Sequence, residues 1–175
     1  MAGQWILLAY TLPAEPSRKR VLAWRHLRKL GAVYLETGLW VLPQNPSMLS
    51  ALEPILAEIK HMGGKLSAFS GSDIGESQND ELRDAFNQVR REEYADLLGK
   101  CRRFLAHAER LAKAGDFRFA EVEELEEDLE KRRRWLAQVI ARDAFGIEAR
   151  QEVEACLMQC EEALARFVEQ SFLAN

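Results

Sequence analysis

The chain has 175 residues, a length that suits one domain or one domain with an appendage. Apolar residues make up 47% and charged residues 30%, which excludes both an intrinsically disordered chain and a membrane protein. The longest apolar run, Trp5 to Tyr10, is far shorter than the roughly 20 residues that span a bilayer. The residues before it lack the positive charge of a signal peptide, so we expect a cytoplasmic protein with no membrane partner.

The net charge of -4 is unevenly divided along the chain. Residues 1–75 carry eight Lys/Arg against five Asp/Glu, and residues 76–175 carry sixteen against twenty-three, so the net charges are +3 and -7. Opposite signs predict two structural units with different surfaces, divided after residue 75. The acidic total argues against indiscriminate nucleic-acid binding but permits a local basic patch.

The first 70 residues alternate between strand and helix patterns. The predicted elements are a strand over 4–12, a helix over 17–30, strands over 32–36 and 39–42, a helix over 46–61 and a strand over 65–70. Pro13 ends the first strand, Ser17 is the expected N-cap and Gly31 the expected C-cap of the first helix, and Thr37-Gly38 forms the hairpin turn. This order predicts a ferredoxin-like four-stranded antiparallel sheet with two helices over residues 1–75.

Beyond a polar linker at residues 71–77, the apolar residues are spaced as in helices. Three amphipathic helices are predicted, one ending at Gly115, one around residues 122–139 and one following Gly146. We therefore expect an α+β protein whose residues 76–175 form a helical segment, either an antiparallel bundle or a hairpin packed on the sheet.

Two charged residues interrupt the apolar stripes of these helices. Arg132 occupies a position of the middle helix that should be apolar, and Glu93 falls between Val89 and Leu97 in the preceding helix. Because a lone buried guanidinium is costly, we expect Arg132 and Glu93 to form one buried pair. The alternative is that both are exposed.

Enzyme motifs are absent from the sequence: it has no glycine-rich dinucleotide motif, P-loop, zinc-protease motif or nucleophile elbow. We therefore expect no enzyme, and assign no catalytic residue, cofactor or metal site. Cys156 and Cys160 share one side of a helix, but two thiols without further ligands make a poor zinc site. Cys101 and Cys160 are interpreted as small core residues.

The first predicted helix carries six Lys/Arg and no acid. On a helical wheel, the arc predicted to face the sheet consists of Ala23, Trp24, Leu27 and Leu30. Opposite it lie Arg18, Arg25 and Lys29, flanked by Lys19 and His26, with Arg20 and Arg28 at the boundary. Such a face is either an ordinary solvated surface or a contact for phosphates or a small oxyanion.

The first half of the chain resembles the N-terminal region of the chromate-resistance regulator ChrB. The resemblance covers residues 4–100 clearly and the helical remainder loosely, and its most specific parts are YTLPAEPSR (10–18) and LWVLP (39–43). The further similar stretches are Trp24–Tyr34, Gly63-Gly64, Phe86-Asn87, Arg90 and Glu93-Tyr94. Long-form ChrB proteins carry an additional C-terminal domain, so the resemblance is to the N-terminal module.

The resemblance implies a bacterial regulator that binds promoter DNA and is relieved by chromate. We assign Arg18, Lys19, Arg25, Arg28 and Lys29 to DNA binding, and Arg18 and Arg20, which follow the turn at 13–17, to oxyanion binding. A homodimer is expected, with the hairpin strand around Trp40 as a candidate edge.

The alternative function is a subunit that does not bind DNA and instead binds an oxyanion or a protein partner. The ferredoxin-like core is also similar to PaaX-type repressors and to CRISPR-adaptation nucleases. Those nucleases hold a metal with an acid at the end of the first strand, where this chain has Tyr10-Thr11-Leu12-Pro13. Metal-dependent cleavage is therefore not expected.

Overall fold

The computed structural model describes residues 5–35, 38–44, 46–71 and 75–174. In chain order its elements are strand β1 (Trp5–Thr11), helix α1 (Arg18–Leu30), strands β2 (Val33–Tyr34) and β3 (Trp40–Pro43), helix α2 (Pro46–His61), strand β4 (Lys65–Gly71) and helices α3 (Glu76–Ala114), α4 (Phe119–Arg142) and α5 (Ala149–Ala174). This order confirms the predicted α+β fold, a βαββαβ unit followed by three helices. Thr37 of the predicted hairpin turn and linker residues 72–74 lie outside the described residues.

The chain forms two compact units, residues 1–88 and 89–175. Residues 76–88 of α3 belong to the first unit and the rest of α3 to the second. The division after residue 75, which marks a change in composition and in secondary structure, stays a prediction. In the part of the chain that the structure describes, no helix has both the length and the apolar character needed to cross a bilayer.

The sheet has the strand order β2-β3-β1-β4, and all its neighbouring strands are antiparallel. Strand β1 is central: it pairs with β4 along its whole length, from Trp5 opposite Gly71 to Thr11 opposite Lys65, and with β3 through its first four residues. The expectation that the strand around Trp40 forms a dimer edge is wrong, because β3 is bonded on both sides, to β2 and to β1. In this sheet the outer strands are β2 and β4.

Helices α1 and α2 pack on one face of the sheet. The core there consists of Ile6, Leu8, Leu27, Ala32, Trp40, Leu42, Met48 and Leu52, all buried. On the other face, the side chain of Trp5 contacts Phe86 at a ring-centroid distance of 6.4 Å and donates its indole N–H to Oδ1 of Asn79 at 2.6 Å. The alternation of side chains along β1 thus gives each face of the sheet its own apolar contact.

The ends of α1 match the predicted boundaries, although the N-cap differs in detail. Gly31 has φ 98°, a left-handed conformation that glycine adopts without strain, and its N–H donates to the carbonyl oxygen of Arg28. Ser17 stands at the N-cap position, but among the described residues its side chain makes no capping hydrogen bond. The first turn is closed instead by main-chain bonds from Lys19 to Pro16 and from Arg20 to Ser17.

In the second unit, apolar residues of α3, α4 and α5 form one core. Two charged residues interrupt the apolar stripes of these helices, and the prediction that they pair with each other, Arg132 with Glu93, is wrong. Arg132 is buried, but it forms an ion pair with Asp128, one turn earlier in α4. Glu93 instead pairs with Arg90 at 3.0 Å and with Arg142 at 3.1 Å. In the antiparallel packing of α3 and α4, Arg132 lies beside Lys100 of α3. Glu93 lies about two turns before Lys100, which separates it from Arg132 by roughly 10 Å along the helix axis.

Candidate nucleic-acid and oxyanion interface

Helix α1 is held against the first unit by a narrow buried side. Only Ala23 and Leu27 of the helix are buried. Two polar contacts hold one flank: Lys19 Nζ donates to the carbonyl oxygen of Met62, just after α2, at 3.0 Å, and His26 Nδ1 lies 2.7 Å from Oε2 of Glu58 in α2. Apart from Ala23 and Leu27, every residue of α1 is exposed or half-buried.

The exposed side of α1 carries a stripe of three cations, Arg18, Arg25 and Lys29, which we call the basic stripe. All three side chains are exposed. On an ideal helix they fall within an arc of about 40° and span about 16 Å along the axis. Among the described residues, none of the three has an acidic partner within ion-pair distance. The stripe is therefore a positive surface that no acidic side chain of the described residues pairs with.

A shallow recess of about 480 Å³ lies beside the start of α1. It is lined by Ser17, Arg18, Lys19, Val21, Leu22 and Arg25. Val21 and Leu22 are exposed and apolar, so the lining of the recess combines two guanidinium groups with apolar side chains. Such a surface suits contact with a phosphate or another oxyanion through Arg side chains.

The wheel placed Trp24 in the buried arc, and this prediction is wrong, because its side chain is 48% exposed. The buried side of α1 is limited to the positions of Ala23 and Leu27, so the large indole of Trp24 falls outside the contact with the sheet. The guanidinium carbon of Arg28 lies 5.5 Å from the centre of the Trp24 ring, a cation–π contact. Arg28 is accordingly half-buried, as expected for a boundary residue.

The residues assigned to oxyanion binding, Arg18 and Arg20, are both exposed. Residues two apart on a helix do not face each other, so the fold does not bring these two guanidinium groups together. The N–H groups of Lys19, Arg20 and Val21 already donate to the carbonyl oxygens of Pro16 and Ser17. The start of α1 therefore offers an oxyanion fewer main-chain donors than an open helix terminus does.

The structure brings together three cysteines that the sequence places far apart. Cys101 of α3 and Cys156 and Cys160 of α5 are all buried, with their sulfur atoms within 4.8 Å of one another. A hydrogen bond from the Cys160 thiol lowers the pKa of Cys101 to about 7, and the same bond raises the pKa of Cys160. The signal for this cluster is the position of all three cysteines on apolar helix stripes.

The chain matches a family described as "Protein ChrB, N-terminal" over residues 20–175. It is also 32% identical over 92 residues to protein ChrB of Cupriavidus metallidurans. This alignment covers 53% of the chain and 28% of the relative, so the chain spans only a part of the length of that protein. Since the family match covers most of the chain, including the basic stripe from Arg25 onwards, the protein belongs to the ChrB N-terminal family.

Proposed function

We propose that the chain is a DNA-binding regulatory module for chromate resistance, which binds promoter DNA and is relieved by chromate. The observation that carries this proposal is the basic stripe of α1, with three exposed cations and no acidic partner among the described residues. Membership of the ChrB family supports the link to chromate resistance. A regulator needs a positive surface to hold the phosphate backbone, and in the first unit α1 supplies one.

The five residues assigned to DNA binding are not equally available. Arg18, Arg25 and Lys29 are exposed and free to reach phosphates, whereas Lys19 is bonded to the carbonyl oxygen of Met62 and Arg28 lies over Trp24. We therefore assign the main phosphate contacts to the basic stripe. Lys19 and Arg28 play a smaller part, because each must first give up an internal contact.

We further propose that the module acts as a homodimer that pairs through β4, an outer strand of the sheet. Strand β4 has seven residues, most of them exposed, and its Phe69 side chain is 63% exposed. Such an edge offers unpaired main-chain groups to a second copy. A two-fold axis at this edge would give the dimer two basic stripes, one for each half of a DNA site. Light scattering on the parent chain and on the Phe69→Lys variant, which places a charge on this edge, tests this pairing, and a monomeric parent would contradict it.

The DNA proposal is tested by the salt dependence of binding. Labelled DNA from upstream of the chain's own gene is titrated at several salt concentrations, with and without chromate. Replacement of Arg18, Arg25 and Lys29 by Ala should reduce the salt slope by about three units, since each lost phosphate contact lowers it by about one. The matched control replaces Lys113, Arg134 and Arg166, three exposed cations of the second unit, and should leave the slope unchanged.

An unchanged slope and affinity in a folded basic-stripe variant would show that α1 is an ordinary solvated surface. Equal losses in the stripe variant and the control variant would indicate a general charge effect. An affinity that does not respond to chromate would contradict the proposed relief.

The second candidate function is a subunit that binds an oxyanion without binding DNA. The recess beside α1 favours it, because Arg18, Lys19 and Arg25 all line it. Calorimetric titration with chromate, and with sulfate as a control of the same shape and charge, tests it. We expect Arg18→Ala to abolish the heat of chromate binding and Arg20→Ala to reduce it less, because Arg20 does not line the recess. Absence of heat with either ion would remove oxyanion binding from this module.

A further inference from the structure

Three thiols meet inside the second unit at a spacing that suits a single bound ion. Cys101 lies in α3, and Cys156 and Cys160 lie one turn apart in α5. Their sulfur atoms lie within 4.8 Å of one another. Sulfur ligands with bonds of about 2.3 Å to a shared ion lie about 4 Å apart, so small side-chain rotations suffice to close the site.

The surroundings of the three sulfurs indicate a coordination number of three. The cysteines belong to a core whose other members are hydrophobic, including Phe104 and Leu157. Within the described residues, which include every histidine of the chain, no His, Asp or Glu joins the three thiols. Structural Zn²⁺ sites are almost always four-coordinate, so this ligand set does not fit zinc. Soft, thiophilic ions are the class that an all-sulfur site selects.

The charge of the bound ion follows from the burial of the site. Three thiolates carry three negative charges, and a net charge in a hydrophobic core is costly. A monovalent or divalent ion leaves the complex negative, whereas a trivalent ion makes it neutral. The nearby guanidinium of Arg132 offsets a negative complex only in part, because it is already paired with Asp128.

We propose that Cys101, Cys156 and Cys160 bind one trivalent metalloid ion, arsenic(III), as a three-coordinate thiolate complex. The reaction is a ligand exchange without change of oxidation state. Three As–O bonds of arsenous acid break and three As–S bonds form, while each thiol proton leaves with a hydroxyl group as water. Both arsenous acid and the complex are neutral, so no charge is created in the core. This site is independent of the DNA-binding surface proposed for α1.

Arsenite titration of the full chain, kept reduced with a phosphine, tests the proposal. We expect an arsenic–sulfur charge-transfer band in the near ultraviolet that saturates at one equivalent. X-ray absorption should find three sulfur neighbours per arsenic. The midpoint of thermal unfolding should rise, because an ion that binds only the folded state stabilises it.

Single replacements of Cys101, Cys156 and Cys160 by Ala should each abolish the saturation at one equivalent and the thermal shift. Ser171→Ala is the matched control, since Ser171 is also a small, fully buried residue of α5, and it should bind as the parent does. Circular dichroism establishes that each variant is folded, and the X-ray absorption measurement on the unmodified chain needs no variant.

Absence of a band in the folded parent chain would overturn the proposal. So would two sulfur neighbours instead of three, undiminished binding by any one cysteine variant, or displacement of arsenic by one equivalent of Zn²⁺.

Discussion

Arg132 of α4 donates from Nε to the main-chain carbonyl oxygen of Lys100 in α3, at a distance of 3.1 Å. Its guanidinium also lies over the ring of Phe104, 5.3 Å from the ring centre, and pairs with Asp128 in its own helix. A cation at an apolar position is thus accommodated by a carbonyl, an aromatic face and a carboxylate that is 40% exposed. Mutations of Arg132 can therefore separate two contributions to stability: the packing of its aliphatic stem and the charge of its guanidinium group.

We expect Arg132→Met to lower the free energy of unfolding by about 1 kcal/mol, and Arg132→Ala to lower it by about 2–4 kcal/mol. Methionine keeps a stem beneath Phe104, and Asp128 can turn to solvent when its partner is lost, so no charge is left buried. Alanine leaves a cavity. Urea unfolding measures both values. If both variants lost the same free energy of unfolding, the ion pair, and not the packing of the stem, would be the source of the stability at this position.

Tyr94 should make the second unit sensitive to alkaline pH. Its hydroxyl donates to Oδ2 of Asp143 at 3.1 Å, and burial together with the Asp143 carboxylate raises the pKa of Tyr94 above its ordinary value of 10.0. The folded chain therefore holds the phenol proton more tightly than the unfolded chain. This contribution to stability is fully present below pH 10 and is lost as the pH rises towards the pKa of the folded state.

At neutral pH we expect Tyr94→Phe to cost about 1 kcal/mol, the value of one hydrogen bond. Between about pH 10 and 11 the parent should lose stability faster than this variant does, so that their free energies of unfolding converge. Tyr34→Phe, which changes a half-exposed tyrosine, serves as the control. Parallel pH profiles for the parent and Tyr94→Phe would contradict this assignment.

Gly64 should tolerate replacement by a larger residue poorly. A Cβ atom at this position would lie 2.8 Å from the carbonyl oxygen of Ile59 and 2.9 Å from that of Thr11. Because both neighbours are main chain, we expect Gly64→Ala to lower the free energy of unfolding by about 1–3 kcal/mol. Gly99→Ala is the opposite case, since Gly99 lies inside α3 and its Cβ would meet only the end of Arg103, 3.7 Å away.

We expect Gly99→Ala to stabilise the chain by about 0.5–1 kcal/mol, because alanine favours the helix. Chemical unfolding of the two variants gives both values. If Gly64→Ala left the free energy of unfolding unchanged, α2 and β1 would be able to move apart without an energetic cost.

The order and type of the elements could be predicted because each follows from local spacing. Pro13, Gly31 and Gly115 bound their elements through backbone preferences that need no knowledge of the rest of the fold. The exposure of Trp24 could not be predicted in this way. A wheel gives the direction of a side chain, but the width of the buried side depends on the surface against which the helix packs.

The partners of residues in different helices were harder to predict than the helices themselves. Arg132 and Glu93 are both polar interruptions of apolar stripes, but the level at which antiparallel helices meet is set by their loops and by core packing. The cysteine cluster was missed for the same reason, because Cys101 is 59 residues away from Cys160. The basic stripe was predictable, since it lies within a single helix.

The position of β1 in the sheet has a consequence for how the chain is made. This strand leaves the ribosome before β3 and β4, yet it is the strand that pairs with both. During synthesis one edge of β1 lacks its native partner until β3 has been added, as the pairing of Leu8 with Trp40 shows. The other edge stays unpaired until β4 has been added, about twenty residues later still, as the pairing of Thr11 with Lys65 shows. An unpaired apolar strand is prone to join other chains, so we expect the nascent first unit to need protection of β1 until β4 has emerged.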